Sequence, residues 1–193
     1  MKKATLITFL AVTAIFLSFK APAPSTWTLD KNHAKLGFTI THIMVSEIEG
    51  SFKSFDAKIT SPGEDFTDAV VEMTADAASI NTDNDARDKH LKTPDFFDAA
   101  VFTTVTFKST SFKKTSDKTY KVKGNLTMHG VTKPVELDAT CNIGTDQRSK
   151  KPIAGFKLTG TINRTDFGIG TKFPSAMLSN EVSIIARGEF HQE

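Results

Sequence analysis

Through most of its length this chain alternates apolar and polar residues, and its apolar positions mix bulky side chains with very small ones. A period of two is the mark of strands with one buried face. Leu36, Phe38 and Ile40 alternate with Lys35, Gly37, Thr39 and Thr41. Val71, Met73, Ala75 and Ala77 alternate with Glu72, Thr74 and Asp76, and Val122, Gly124, Leu126 and Met128 with Lys121, Lys123, Asn125 and Thr127. The same rhythm runs through Val135–Ile143, Phe156–Ile162 and Val182–Phe190. Native cores pack to crystal-like density, so a solid core would want more volume at Ala75, Gly124, Ala139, Gly160, Ala186 and Gly188. Either the structure is closed around a greasy tunnel, or these small residues mark bends where strands curve. The pattern leaves both open.

Turn chemistry separates the strands at Ser61-Pro62-Gly63, Thr115-Ser116-Asp117, His129-Gly130 and Gly144-Thr145-Asp146. Even spacing with few helices points to an antiparallel sandwich or barrel. Two segments depart from the rhythm. His42 to Glu49 reads as a short helix carrying Ile43, Met44, Val45 and Ile48. Asp83 to Ala100 reads as two. Asp83 or Asn84 caps the first, and Pro94 disfavours helical geometry at Thr93 and so ends it. Thr93 then caps a second turn that presents Phe96 and Phe97. A long aromatic connection of this kind suits a lid or mouth over a cavity.

The N-terminus is laid out as an export signal: Lys2 and Lys3, an uncharged apolar run from Ala4 to Phe19, then Ala21, Pro22, Ala23 and Pro24. The expected division is therefore a signal over 1–23 and one barrel domain over 24–193, in the periplasm or outside the cell. An uncleaved anchor is the lesser reading. Removing Lys2, Lys3 and Lys20 takes the formal net charge from +2 to −1. A near-neutral domain is not the clustered basic surface that nucleic acid requires. Cys141 is the sole cysteine, so an exported domain must stand on its core without a disulfide, and the thiol is expected inward as a small hydrophobe.

Sixteen phenylalanines accompany one tyrosine and one tryptophan. Phenyl rings fill cores, and phenyl walls also suit a long hydrocarbon. His33, His42, His90, His129 and His191 share no short metal-ligand spacing, although His33 and His42 could converge with Asp30 or Glu47. Asp83–Asp88 resembles a calcium loop but has Pro94 where a bidentate glutamate belongs. No nucleophile elbow, zinc-protease helix motif or phosphate-binding loop is present. Arg87, Asp88 and His90 form the densest polar group.

These residues resemble the YceI-like family of exported bacterial lipid-binding barrels. The likeness starts at Trp27-Thr28-Leu29-Asp30 and His33 and runs through Gly37-Phe38, His42 and Gly50-Ser51-Phe52. It is strongest at Thr82, Arg87-Asp88-Lys89-His90-Leu91 and Asp95-Phe96-Phe97-Asp98. It continues at Gly124–Val135 and ends at Arg164-Thr165-Asp166-Phe167-Gly168 and Val182. Ala34 departs from the family's usual serine.

The resemblance implies an all-β, lipocalin-like barrel of eight antiparallel up-and-down strands, with short helical insertions near one mouth. It also implies one bound amphiphile: a polyprenyl chain, an isoprenoid quinone or a fatty-acid derivative such as an amide. Phe38, Ile40, Leu126, Met128, Leu137, Ile162 and Ile184 are expected to line the pore, joined by Phe52, Phe107 and Phe167. Phe96 and Phe97 are expected at its mouth, with Arg87, Asp88 and His90 as polar partners. No catalytic residue, metal or cofactor is expected. Transient membrane contact and a homodimer are further expected associations. The competing class is a metal-assisted or hydrolytic enzyme using His33, His42 and His90.

Overall fold

The computed structural model describes residues 23–193, so the export signal read at the N-terminus lies, apart from Ala23, outside the described residues. The strands are β1 (Ser25–His42), β2 (Ser46–Phe52), β3 (Phe55–Ser61), β4 (Val70–Asp76) and β5 (Ile80–Asn81). A helix α1 (Asp85–Leu91) precedes β6 (Thr104–Lys114), β7 (Thr119–Met128), β8 (Val131–Thr145), β9 (Pro152–Asn163) and β10 (Leu178–Gln192). β1 pairs with β3 over Ser25–Thr28 and with β2 over Leu36–His42, so β2 and β3 together form one stave. Each later long strand pairs antiparallel with its predecessor, and β10 returns to β1. The result is a closed antiparallel barrel of eight staves. Closure leaves no exposed long edge, which suits a chain without a disulfide.

The two ends of the barrel differ. At the end where β1 begins, the β3–β4 loop folds inward and drops Phe66, fully buried, into the lumen. Its ring lies 4.9 Å from both Trp27 and Phe156. The Phe112 ring lies tilted against Tyr120, 5.0 Å away, in the same plug, and the Tyr120 hydroxyl donates to Asp65 O at 2.8 Å. Cys141 is buried here, and burial pushes its thiol up to about 11, so it is an inert apolar filler. The expected through-running tunnel is thus a pocket closed at one end by the protein's own aromatic rings.

Small residues on the inner face serve a third purpose. A Cβ on Gly124 would lie 2.4 Å from the Phe107 ring, and one on Gly160 2.4 Å from Leu137. These glycines let large neighbours lie flat across the pleat. Vacant space is found instead beside Ala57 and Ala186, whereas a Cβ on Gly188 would lie 2.6 Å from Leu29.

Two local expectations are corrected. His42–Glu49 is no helix: β1 and β2 are joined by a tight turn at Ile43–Val45. Seven ladder pairs from Leu36↔Phe52 to His42↔Ser46 bring the strands together there, overriding a short and uncapped helical pattern. In the insertion, α1 forms as read, with the Asn84 side chain accepting from Arg87 N–H at 3.0 Å. The second helix does not form. Phe97 N–H donates back to Leu91 O and Ala99 N–H to Lys92 O, so the chain wraps around the end of α1. No helix among the described residues is long and apolar enough to cross a membrane.

Candidate functional site

Above the plug the barrel holds a cavity of about 400 Å³. That is within the roughly 300–1,000 Å³ typical of small-molecule sites. Its walls come from the inward positions of every stave, because alternation sends each second side chain to the lumen. Phe38, Ile40, Phe52, Phe107, Leu126, Met128, Leu137, Ile162 and Ile184 all line it. Leu158, Val182 and Phe190 line it as well and were legible only as strand residues.

The mouth lies at the other end from the plug, where α1, the β1–β2 turn and the β9–β10 connection meet. Phe96 stacks on Phe173 at 5.1 Å, and Phe97 meets Phe52 edge-on at 5.7 Å. His90 lies edge-on to Phe96, with ring centroids 5.0 Å apart. Its Nε2 lies 3.6 Å from an Asp95 carboxylate oxygen, and the same carboxylate accepts from Lys172 Nζ. The Lys172 hydrogen bond is the main reason the Asp95 carboxyl is held below its ordinary range.

The polar residues on the cavity wall are His42, Thr82, Arg87, His90, Arg164 and Arg187; among the described residues no acidic side chain lines it. Arg87 donates from Nε to Thr82 Oγ1 and from Nη2 to Thr82 O, each at 2.7 Å. Two of the expected site residues are placed elsewhere. Asp88 points away from the cavity and is buried against β5, accepting from Thr82 N–H at 2.8 Å and from Asn81 Nδ2 at 3.3 Å. Arg87 and Asp88 project about 100° apart and flank Thr82 from two sides, and only Arg87 reaches the cavity. Phe167 is fully buried in a one-turn 3₁₀ helix (Arg164–Phe167) that leaves the strand alternation, and it does not reach the cavity.

Arg164 is the residue that sequence reasoning missed. It is 3% exposed with no carboxylate beside it. Its guanidinium donates to five backbone carbonyls, those of Ser179, Ile169, Gly170, Phe173 and Leu178, and to Asn180 Oδ1. A planar fork of five N–H groups is suited to this task. It clasps the β9–β10 connection that carries Phe173 into the mouth. Only its place in a family-like motif hinted at a role.

The three histidines of the competing reading are not brought to one place. His42 and His90 line the mouth, whereas His33 sits outside in a bulge of β1 between Asp30 and Ala34. There His33 Nδ1 lies 2.7 Å from Asp30 Oδ2 and 3.8 Å from Glu189 Oε2. The hydrogen bond to Asp30 raises the His33 pKa, and the same bond lowers that of Asp30.

A YceI-like domain model matches residues 27–190. A UPF0312 protein of Staphylococcus aureus (strain bovine RF122 / ET3-1) is 36% identical over 171 residues, spanning 86% of this chain and 97% of that protein. The crystal structure of a Campylobacter jejuni YCEI protein superposes with a TM-score of 0.73 at 30% identity, over 79% of this chain and 90% of the other. A polyisoprenoid binding domain from Saccharophagus degradans, implicated in plant cell wall breakdown, has a TM-score of 0.66 at 15% identity, over 86% and 98% of the two chains. At that identity it attests the shared barrel alone. With the matched span covering nearly the whole barrel, this chain belongs to the YceI-like family.

Proposed function

We propose that this protein binds a single amphiphilic lipid without transforming it, the tail in the barrel and the polar end at the mouth. The blind cavity carries the reading: an apolar chamber closed at one end by Phe66 and its neighbours, with Thr82, Arg87 and His90 among the polar groups at the other. A hydrocarbon tail gains roughly 0.8 kcal/mol for each methylene removed from water, so ten methylenes supply about 8 kcal/mol before the costs of immobilisation. A polyisoprenoid, an isoprenoid quinone or a fatty-acid derivative has this form. That a protein of the same barrel is a polyisoprenoid binding domain supports the choice. Arg87 and His90 would meet a neutral or anionic head group, since no carboxylate on the wall opposes one. Export to the periplasm or beyond accords with the layout of residues 1–23.

Native mass spectrometry of protein purified without detergent, followed by organic extraction, tests the proposal. One lipid per chain, absent after extraction and absent from a cavity-filled Ala186→Phe variant, is the expected outcome. Folded protein that shows no adduct and takes up none of these lipid classes on reconstitution would overturn it.

A further inference from the structure

The turn between β1 and β2 breaks two rules at once. Its central residues Ile43 and Met44 have φ of 46° and 57°, while Val45 N–H donates across it to His42 O at 3.1 Å. Positive φ at both central positions ordinarily selects Asn-Gly or Gly-Gly. A β-branched residue in this region is an outlier, and such outliers cluster at functional places. The turn is also bare. Met44 and Val45, at 75% and 81% exposure, are the most exposed large apolar residues among those described.

The patch continues beyond the turn. Ile43 N–H donates to Met177 O at 2.8 Å, which sets the exposed segment Pro174–Met177 against it. Neither segment bears a charge. His42, Ile48 and Met177 border the patch and also line the cavity, so the exposed apolar surface is continuous with the mouth.

We propose that Ile43, Met44 and Val45, with Met177, insert into the apolar boundary of a lipid surface and seat the cavity mouth on it. This rests on the lipid-binding reading, and it adds the route by which the tail enters without crossing water. A second copy of the chain is the weaker occupant. Stable protein interfaces bury about 800 Å² on each partner, far more than one protruding turn supplies. Insertion into lipid has no such threshold, because each side chain gains on its own. The lack of charge makes the attachment insensitive to salt.

The test uses Ile43→Asn/Met44→Gly, which gives the turn residues suited to its backbone. Wild-type protein should float with vesicles of phosphatidylethanolamine and phosphatidylglycerol equally at low and high salt. The double variant should partition about a hundredfold more weakly, roughly tenfold for each large apolar side chain lost. It should also melt at a higher temperature and still bind cis-parinaric acid delivered from ethanol with wild-type stoichiometry. Equal flotation of both proteins overturns the proposal, as does tip-dependent dimerisation without flotation. Loss of cis-parinaric acid binding by the wild type would instead strike the lipid-binding reading beneath it.

Discussion

Phe66 and Ile43 hold the same left-handed backbone at opposite ends of one barrel, with φ of 58° and 46°, yet only Phe66 is buried. Strain of this kind costs about 1–3 kcal/mol per residue. At the closed end the cost is offset at once: the phenyl ring vanishes among Trp27, Phe112 and Phe156, and the Tyr120 hydroxyl pins the loop through Asp65 O. At the open end backbone hydrogen bonds hold the turn but no comparable side-chain burial offsets its cost, because Ile43 is about half exposed and Met44 is 75% exposed. The contrast assigns the two ends different work. One stabilises the fold, and the other holds its apolar groups for something outside.

The largest expected effect lies at the plug. Phe66→Ala should lower the unfolding free energy by about 3–5 kcal/mol, whereas Ile43→Ala should change it by less than about 0.5. Denaturant melts of both variants decide this, and comparable losses would break the contrast between the ends. Next comes the clasp at the mouth. Arg164→Met strands several buried carbonyls and should cost about 3 kcal/mol. Amide exchange should quicken from Ile169 to Leu178 while β6 and β7 stay protected; uniform quickening would make Arg164 a general core residue instead. Smaller still, Ile43→Asn/Met44→Gly should gain about 1–2 kcal/mol by relieving the turn, read from the same melts.

The smallest effect is on the outer wall, where His33 meets Asp30. A raised His33 pKa means that protonated His33 favours the folded state; that contribution is complete below the ordinary 6.5 and disappears as pH rises through the folded value. Asp30 works in reverse: its contribution is present above the ordinary 3.8 and disappears as pH falls through its lowered value. An NMR titration should place the His33 midpoint above 6.5, and Asp30→Asn should bring it down. A midpoint unmoved by that substitution would deny the pairing.

Strand alternation made the strands legible, because one buried face writes itself into every second residue, but it left sandwich and barrel open, and the family resemblance supplied the eight-stranded barrel. Alternation also named most of the cavity wall, since Phe38, Leu126, Ile162 and Ile184 keep their inward parity from end to end. Asp83 or Asn84 announced α1 through capping chemistry, and Asn84 is the cap. What stayed illegible depends on contacts far apart in sequence. Phe66 sits in a loop with no periodicity, so its role as a stopper appears only when the β3–β4 loop folds inward. The spaces suggested by Gly124 and Gly160 are occupied by Phe107 and Leu137, which only strand pairing brings across them. The β1–β2 turn defied its local signals because it lacks the glycine that its backbone calls for.

Fluorescence titration with cis-parinaric acid tests the central claim most directly, comparing wild type with two cavity-filled variants, Ala186→Phe and Ile184→Trp. Saturable uptake of one probe per wild-type barrel, lost in both folded variants, is the predicted result. Equal uptake by all three proteins, or none by the wild type, would contradict the assignment of the cavity as the lipid site.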